Sequence, residues 1–253
     1  MEDSRVPLSE GRLGWLARIG LIVPANNCVI EPEFWSIAPV GVTFHAARLV
    51  VTGDDEAALI EMTKDLEKAA DEIRLSNVAA VAYCCLSSSF VKGIEWDRSL
   101  ADRIRSRLKR PVITAADAML RALKLMGIEK VATVTGYKQD LDRKLADFLS
   151  DNGITVSSGK GLALDLNEIS NASSSMVYEA AKSLDLSDAQ GVFVGSTDLH
   201  CLDIIQKLEK DIARPVVTVN QALYGFVLNL LGLSEKIVPL GALLQKMREP
   251  KSG

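Results

Sequence analysis

The chain has 253 residues, enough for one large α/β unit or two small domains, and its 48% hydrophobic and 25% charged content is ordinary for a globular protein. A net charge of -4 without any basic block argues against nucleic-acid binding. Four cysteines (Cys28, Cys84, Cys85 and Cys201) make neither a disulfide framework nor a CxxC zinc pair, and two histidines, His45 and His200, are too few for a histidine-rich metal centre.

The first fifteen residues carry acids and no long apolar core, unlike a signal peptide. The most apolar late segment, residues 222–233, falls short of the roughly 20 residues that a membrane span needs. A soluble, cytoplasmic protein with no membrane association is the expectation. From the start, a short apolar run (18–27) stops at Pro24 and two asparagines, and a strand rich in β-branched residues follows at 42–51. Residues 54–75 place Leu59, Ile60, Met62, Leu66, Ala69, Ala70 and Ile73 at helical spacing, which predicts one helix. Residues 78–85 form an unbroken apolar run, as in a parallel strand covered on both faces, and end in Cys84, Cys85 and three serines.

Helix and strand then alternate. Helices are predicted at 97–108, 116–126, 140–151, 176–184, 201–212 and 220–231; strands are predicted at 111–114, 131–135, 154–156, 191–194 and 215–219. Strict alternation predicts parallel sheets with right-handed crossovers. An internal echo adds to this. PVITAADAMLRALKLMGI (111–128) and PVVTVNQALYGFVLNLLGL (215–233) share a Pro-Val-x-Thr strand and a closing glycine, and each lies one helix after a strand ending in small polar or thiol residues. The pattern implies an α/β fold of two pseudo-symmetric Rossmann-like lobes with short parallel sheets and a site in the cleft between them, Cys85 on one wall and Ser196 on the other.

Cysteine is the strongest nucleophile near neutral pH when amide N–H groups or a helix start favour its thiolate, and Cys85 is placed for that. Cys84, on the opposite strand face, reads as core. Ser87, Ser88, Ser89, Ser196 and Thr197 offer hydroxyls and amides that could cradle a carboxylate or simply cap helices. Asn27 could reach the same crevice or close an Asx-turn. Tyr137, at another strand end, could donate to a substrate oxygen or pack. Asp198 reads as a helix cap, His200 and Cys201 as helix-face residues, and Trp35 and Trp96 as packing.

Six segments in order carry a resemblance: IVPANN (22–27) with EPEF and GVTFHAAR, YCCLSSSF (83–90), VATVTGYKQDLDRKL (131–145), GLALDLNEIS (161–170), GVFVGSTDLHCLDIIQKLE (191–209) and PVVTVNQALYG (215–225). Together they resemble the aspartate/glutamate racemase superfamily, in its maleate isomerase and arylmalonate decarboxylase branch. The resemblance implies Cys85 as nucleophile and Asn27, Leu86, Ser87, Tyr137, Asn167 and Thr197 as substrate contacts, with Ser196 where the family has a second catalytic cysteine. It implies no cofactor or metal, a small dicarboxylate or carboxylate as partner, and a dimer or tetramer. The implied reaction is cis–trans isomerisation, most simply of maleate to fumarate through a Cys85 adduct. A racemase or decarboxylase working through an enediolate, or a non-catalytic carboxylate binder, are the alternatives. The implied lobes are 15–112 with 219–253, carrying Asn27 and Cys85, and 113–218, carrying Tyr137, Asn167 and Ser196.

Overall fold

Apolar runs become parallel strands here because helices cover both faces of each sheet. The computed structural model describes residues 13–249; most of the amino-terminal lead-in and the last four residues lie outside the described residues. β1 (Ala17–Pro24), α1 (Ile30–Ser36) and β2 (Val42–Leu49) open the chain. α2 (Glu56–Met62) and α3 (Leu66–Arg74) precede β3 (Ala80–Tyr83), and α4 (Leu86–Phe90) and α5 (Ile94–Leu108) precede β4 (Val112–Thr114). The second series runs α6 (Ala115–Met126), β5 (Lys130–Thr135), α7 (Gln139–Asp151), β6 (Thr155–Gly161), α8 (Ser174–Lys182) and β7 (Gly191–Gly195). It closes with α9 (Ile205–Ile212), β8 (Val216–Thr218), α10 (Val219–Leu230) and α11 (Gly241–Arg248).

Two four-stranded parallel sheets result, ordered β2-β1-β3-β4 and β6-β5-β7-β8, so the echo in the sequence is an echo in topology. In each sheet the chain leaves its central strand toward one edge and returns on the other side. That reversal opens a crevice beyond the carboxyl ends of β1 and β3, and of β5 and β7. The repeated Pro-Val-x-Thr segments act alike. Thr114 accepts the Asp117 N–H at 3.1 Å and Thr218 accepts the Gln221 N–H at 3.0 Å, each capping the helix that follows. A central apolar layer draws on both halves, with Leu86, Phe90, Met119, Tyr137, Phe193 and Leu223 among its members. α10 lies in it, packed on α6 and touching β3 and β4 of one sheet and β7 and β8 of the other. The chain crosses from the first sheet to the second after Thr114, so the expected lobe boundary at 112/113 falls inside β4.

Some elements differ from expectation. The helix read across 54–75 is two helices separated by a 3-10 turn at Thr63–Asp65. Thr63 donates its hydroxyl back to the Ile60 carbonyl, and its own carbonyl is taken by Arg103 at 2.6 Å. The helix read from 201 begins only at Ile205, because the Cys201 and Leu202 N–H groups donate to the Glu33 carboxylate instead of to a preceding turn. β6 extends to Gly161 through a polar, edge-strand segment with no apolar signal. α1 and α11 went unpredicted. Trp35 is half exposed, edge-on to Phe44, and Trp96 donates to the Ser88 carbonyl at 2.8 Å. No helix among the described residues is long and apolar enough to cross a membrane.

Candidate active site

The exits of β3 and β7 face each other across a cavity of about 170 Å³. From the first half come Cys85, Leu86 and Ser87; from the second come Tyr137, Ser196, Thr197 and Asp198. Asn26 lines the same space. Val51, Leu59, Leu141, Leu164, Leu166 and Ile169 give it apolar sides. At its mouth Lys138 pairs with Asp54 of the first half at 3.2 Å and with Asp165 of the second at 2.5 Å.

Cys85 sits at the N-cap of α4 with extended backbone torsions, and its sulfur lies 3.6 Å from the Ser87 hydroxyl. The loop beneath is tied down: Ser89 donates to the Cys85 carbonyl at 2.7 Å, and Tyr83 and Ser88 share a 2.6 Å hydroxyl contact. Burial pushes the Cys85 thiol up, the Ser88 hydroxyl and N–H and the Ser87 hydroxyl pull it back, and the nearby Asp198 carboxylate raises it again. The donors and the helix start expected beside Cys85 are in place, and loss of hydration opposes them. Cys84 is fully buried in the central layer, as expected. Behind the loop, Asp97 accepts the Thr114 hydroxyl at 2.8 Å, and burial pushes its carboxyl up to about 7.

On the facing wall Ser196 has a positive φ of 122°, unusual for a residue with a side chain. Its hydroxyl donates to the Asp198 carboxylate, whose other oxygen accepts Asn26 Nδ2 at 3.3 Å. Burial raises the Asp198 pKa; the Ser196 hydroxyl, its own N–H and Asn26 work against that rise. Asp198 thus faces the cavity and caps no helix. Tyr137 is buried and packs edge-on to Phe90; burial, followed by the charges of Asp198 and Cys85, holds its hydroxyl protonated.

Asn27 stands just behind the wall. Its oxygen accepts the Val29 and Ile30 N–H groups at 2.9 and 3.1 Å, while its Nδ2 donates to the Thr197 hydroxyl at 3.1 Å. Of the two readings the Asx-turn into α1 is the one observed; Asn27 does not line the cavity and touches it only through Thr197. Thr197 donates in turn to the Cys84 carbonyl at 3.0 Å, joining the two walls. Asn167 is exposed and does not line the cavity; Leu166 does, and its carbonyl accepts Asn26 Nδ2 at 3.0 Å. Asn26 Oδ1 has no hydrogen-bond partner among the described residues.

Sequence reasoning missed Asn26, the cavity role of Asp198, and a strut made by Glu33 and Asn220. Glu33, buried on α1, accepts His200 Nδ1 at 2.9 Å and Asn220 Nδ2 at 2.6 Å. Asn220 also donates to the Thr197 carbonyl at 3.1 Å. The only available signal was position: Asn26 beside Asn27, and Asp198 two residues past Ser196. His200 and Cys201 stand in the turn this strut holds rather than on a helix.

Residues 19–244 match the family model of arylmalonate decarboxylase. A maleate isomerase of Pseudomonas putida is 27% identical over 244 residues, covering 90% of this chain and 97% of that protein. An arylmalonate decarboxylase of Bordetella bronchiseptica is 25% identical over 232 residues, 87% of this chain and 93% of that one. A solved cysteine-to-serine mutant of the Nocardia farcinica maleate cis-trans isomerase, with a covalently bound succinylcysteine intermediate, superposes with a TM-score of 0.86 at 25% identity, over 91% of this chain and 98% of that one. With the family model spanning both sheets and the whole cavity, the chain belongs to the arylmalonate decarboxylase family, in the branch that family shares with the maleate isomerases.

Proposed function

We propose that the protein is a cis–trans isomerase of a small dicarboxylate, most simply maleate, acting through a covalent adduct on Cys85. The observation that carries this reading is the cavity itself: a thiol at the exit of one sheet, with hydroxyl and N–H donors at its sulfur, facing a second polar wall across a space sized for a small molecule. The succinylcysteine found in a related isomerase is the adduct such a thiol would form.

In this reading the Cys85 thiolate adds to one alkene carbon. A sulfur–carbon bond forms, and the π pair moves onto the neighbouring carbon and its carboxylate. Ser87 and Tyr137 supply hydroxyl donors for the carboxylates and the developing charge, which a mostly apolar cavity makes effective. The Thr197 hydroxyl, committed to the Cys84 carbonyl, shapes the wall beside them. The former double bond, now single, rotates; the pair returns, the sulfur–carbon bond breaks, and the trans isomer leaves. Asn27 holds Thr197 instead of meeting substrate, and Asn26 takes the place given to Asn167. Assembly as a dimer or tetramer is an expectation carried by the resemblance, measurable by light scattering.

The apolar sides formed by Leu59, Leu141, Leu164, Leu166 and Ile169 favour a second reading, decarboxylation of a malonate bearing an apolar group. Mass spectrometry after exposure to maleate should find one added maleate on Cys85, with fumarate appearing in solution and neither in Cys85→Ala. No adduct and no fumarate from the wild-type chain, with phenylmalonate consumed, would replace the first reading by the second.

A further inference from the structure

The carbon next to the one that takes the sulfur gains an electron pair, and something must hold or protonate it. On the wall opposite Cys85 the only acid among the described residues in contact with a cavity hydroxyl is Asp198, bonded to Ser196 Oγ and to Asn26 Nδ2, and itself buried. We propose, resting on the isomerase reading, that Asp198 supplies a proton through the Ser196 hydroxyl to the carbon adjacent to the Cys85 adduct and takes it back after rotation.

The step balances. In the active form Cys85 is a thiolate and Asp198 a carboxylic acid that donates to Ser196 Oγ, the reverse of the bond its carboxylate accepts. The Ser196 proton is then free for the carbon, and the pair carries one negative charge. As sulfur bonds to one carbon, the displaced π pair takes a proton from Ser196 Oγ, and Ser196 takes one from Asp198, leaving a carboxylate. After rotation the same carbon returns its proton along the same path. The π bond re-forms and the thiolate is expelled. No oxidant, reductant or metal enters.

The charge arrangement supports this. Two anions confined in one mostly apolar cavity repel, so a single proton belongs to the pair. Tyr137 faces the same carboxylate from the exit of β5; Asp54, Asp55, Lys138 and Asp140 stand further out along the lining. Lys138 is committed to Asp54 and Asp165, and no cation among the described residues pairs with Asp198. Asp198 is a positioning residue in this scheme, acting through Ser196.

Two measurements test it. Alkylation of Cys85 by iodoacetamide across pH reads the coupling without any substrate. Removing a neighbouring negative charge lowers a thiol pKa, so Asp198→Asn should move the profile down by about 1 pH unit. Maleate turnover reads the relay. Asp198→Asn should cost about 100-fold in kcat with little change in KM, whereas in a Ser196→Cys background, where the side chain carries its own acidic proton, the same change should cost less than about tenfold. An equal loss in both backgrounds marks Asp198 as merely structural and overturns the proposal, as does an unmoved alkylation profile. Should Asp198→Asn fail to fold, the alkaline limb of turnover decides: it should lie higher in Ser196→Cys than in the wild type, and coincident limbs overturn the relay. A wild-type chain without maleate turnover but with an Asp198-dependent thiol sinks the isomerase reading and leaves the shared proton standing.

Discussion

Ser196 pays for its place twice over, through its backbone and through its hydroxyl. Its φ of 122° is a conformation that glycine adopts freely and that costs a residue with a Cβ about 1–3 kcal/mol. The hydroxyl is committed to Asp198. The two effects separate cleanly when Ser196→Gly is compared with Ser196→Ala, since both remove the hydroxyl and only glycine relieves the torsion. Ser196→Gly should be the more stable of the two by about 1 kcal/mol, a difference of about 2–4 °C in Tm for a chain of this size. Equal Tm values would mean that the neighbouring segment absorbs the strain. A serine held in a glycine conformation at the rim of a cavity is the kind of local cost that persists where a side chain is used.

Elements explain which parts of the site were legible. β3 was plain, because a continuous apolar run ending in thiols and serines has few other readings. Cys85 and Ser87 line the cavity beyond its end, with Leu86, which only the resemblance had named, between them. Thr197 and Ser196 followed from the echo between the two halves. α1 was invisible: its seven residues include Pro32 and two acids, and its order comes from Asn27 capping its start and Glu33 reaching into the second half. Hydrogen bonds between distant segments leave no periodic trace. The same cause moved the start of α9, and it put Asn26 and Leu166 at the cavity where Asn167 was expected. Glu33 gives the element-scale prediction. Glu33→Ala strands the His200, Cys201, Leu202 and Asn220 donors at once, and should lower stability by about 3 kcal/mol in a denaturant titration. A loss below 1 kcal/mol would show that water replaces the carboxylate there.

At the scale of the whole molecule, the two halves are joined by the loops that build the cavity. Thr197 reaches the Cys84 carbonyl, Asn27 reaches Thr197, Asn26 reaches the Leu166 carbonyl, and Ser170 donates to the Asn26 carbonyl at 3.1 Å. The central apolar layer draws its side chains from both sheets. Thermal unfolding should therefore give one transition, with tryptophan fluorescence and far-ultraviolet circular dichroism falling together; two separated transitions would mean that the halves fold independently. This stitching also limits how such a protein can be rebuilt. Halves whose contacts were formed elsewhere cannot be exchanged as cassettes: a chimaera with a relative will hold its cavity only if the loop bearing Asn26 and Asn27 is inherited together with the loop bearing Thr197 and Asp198.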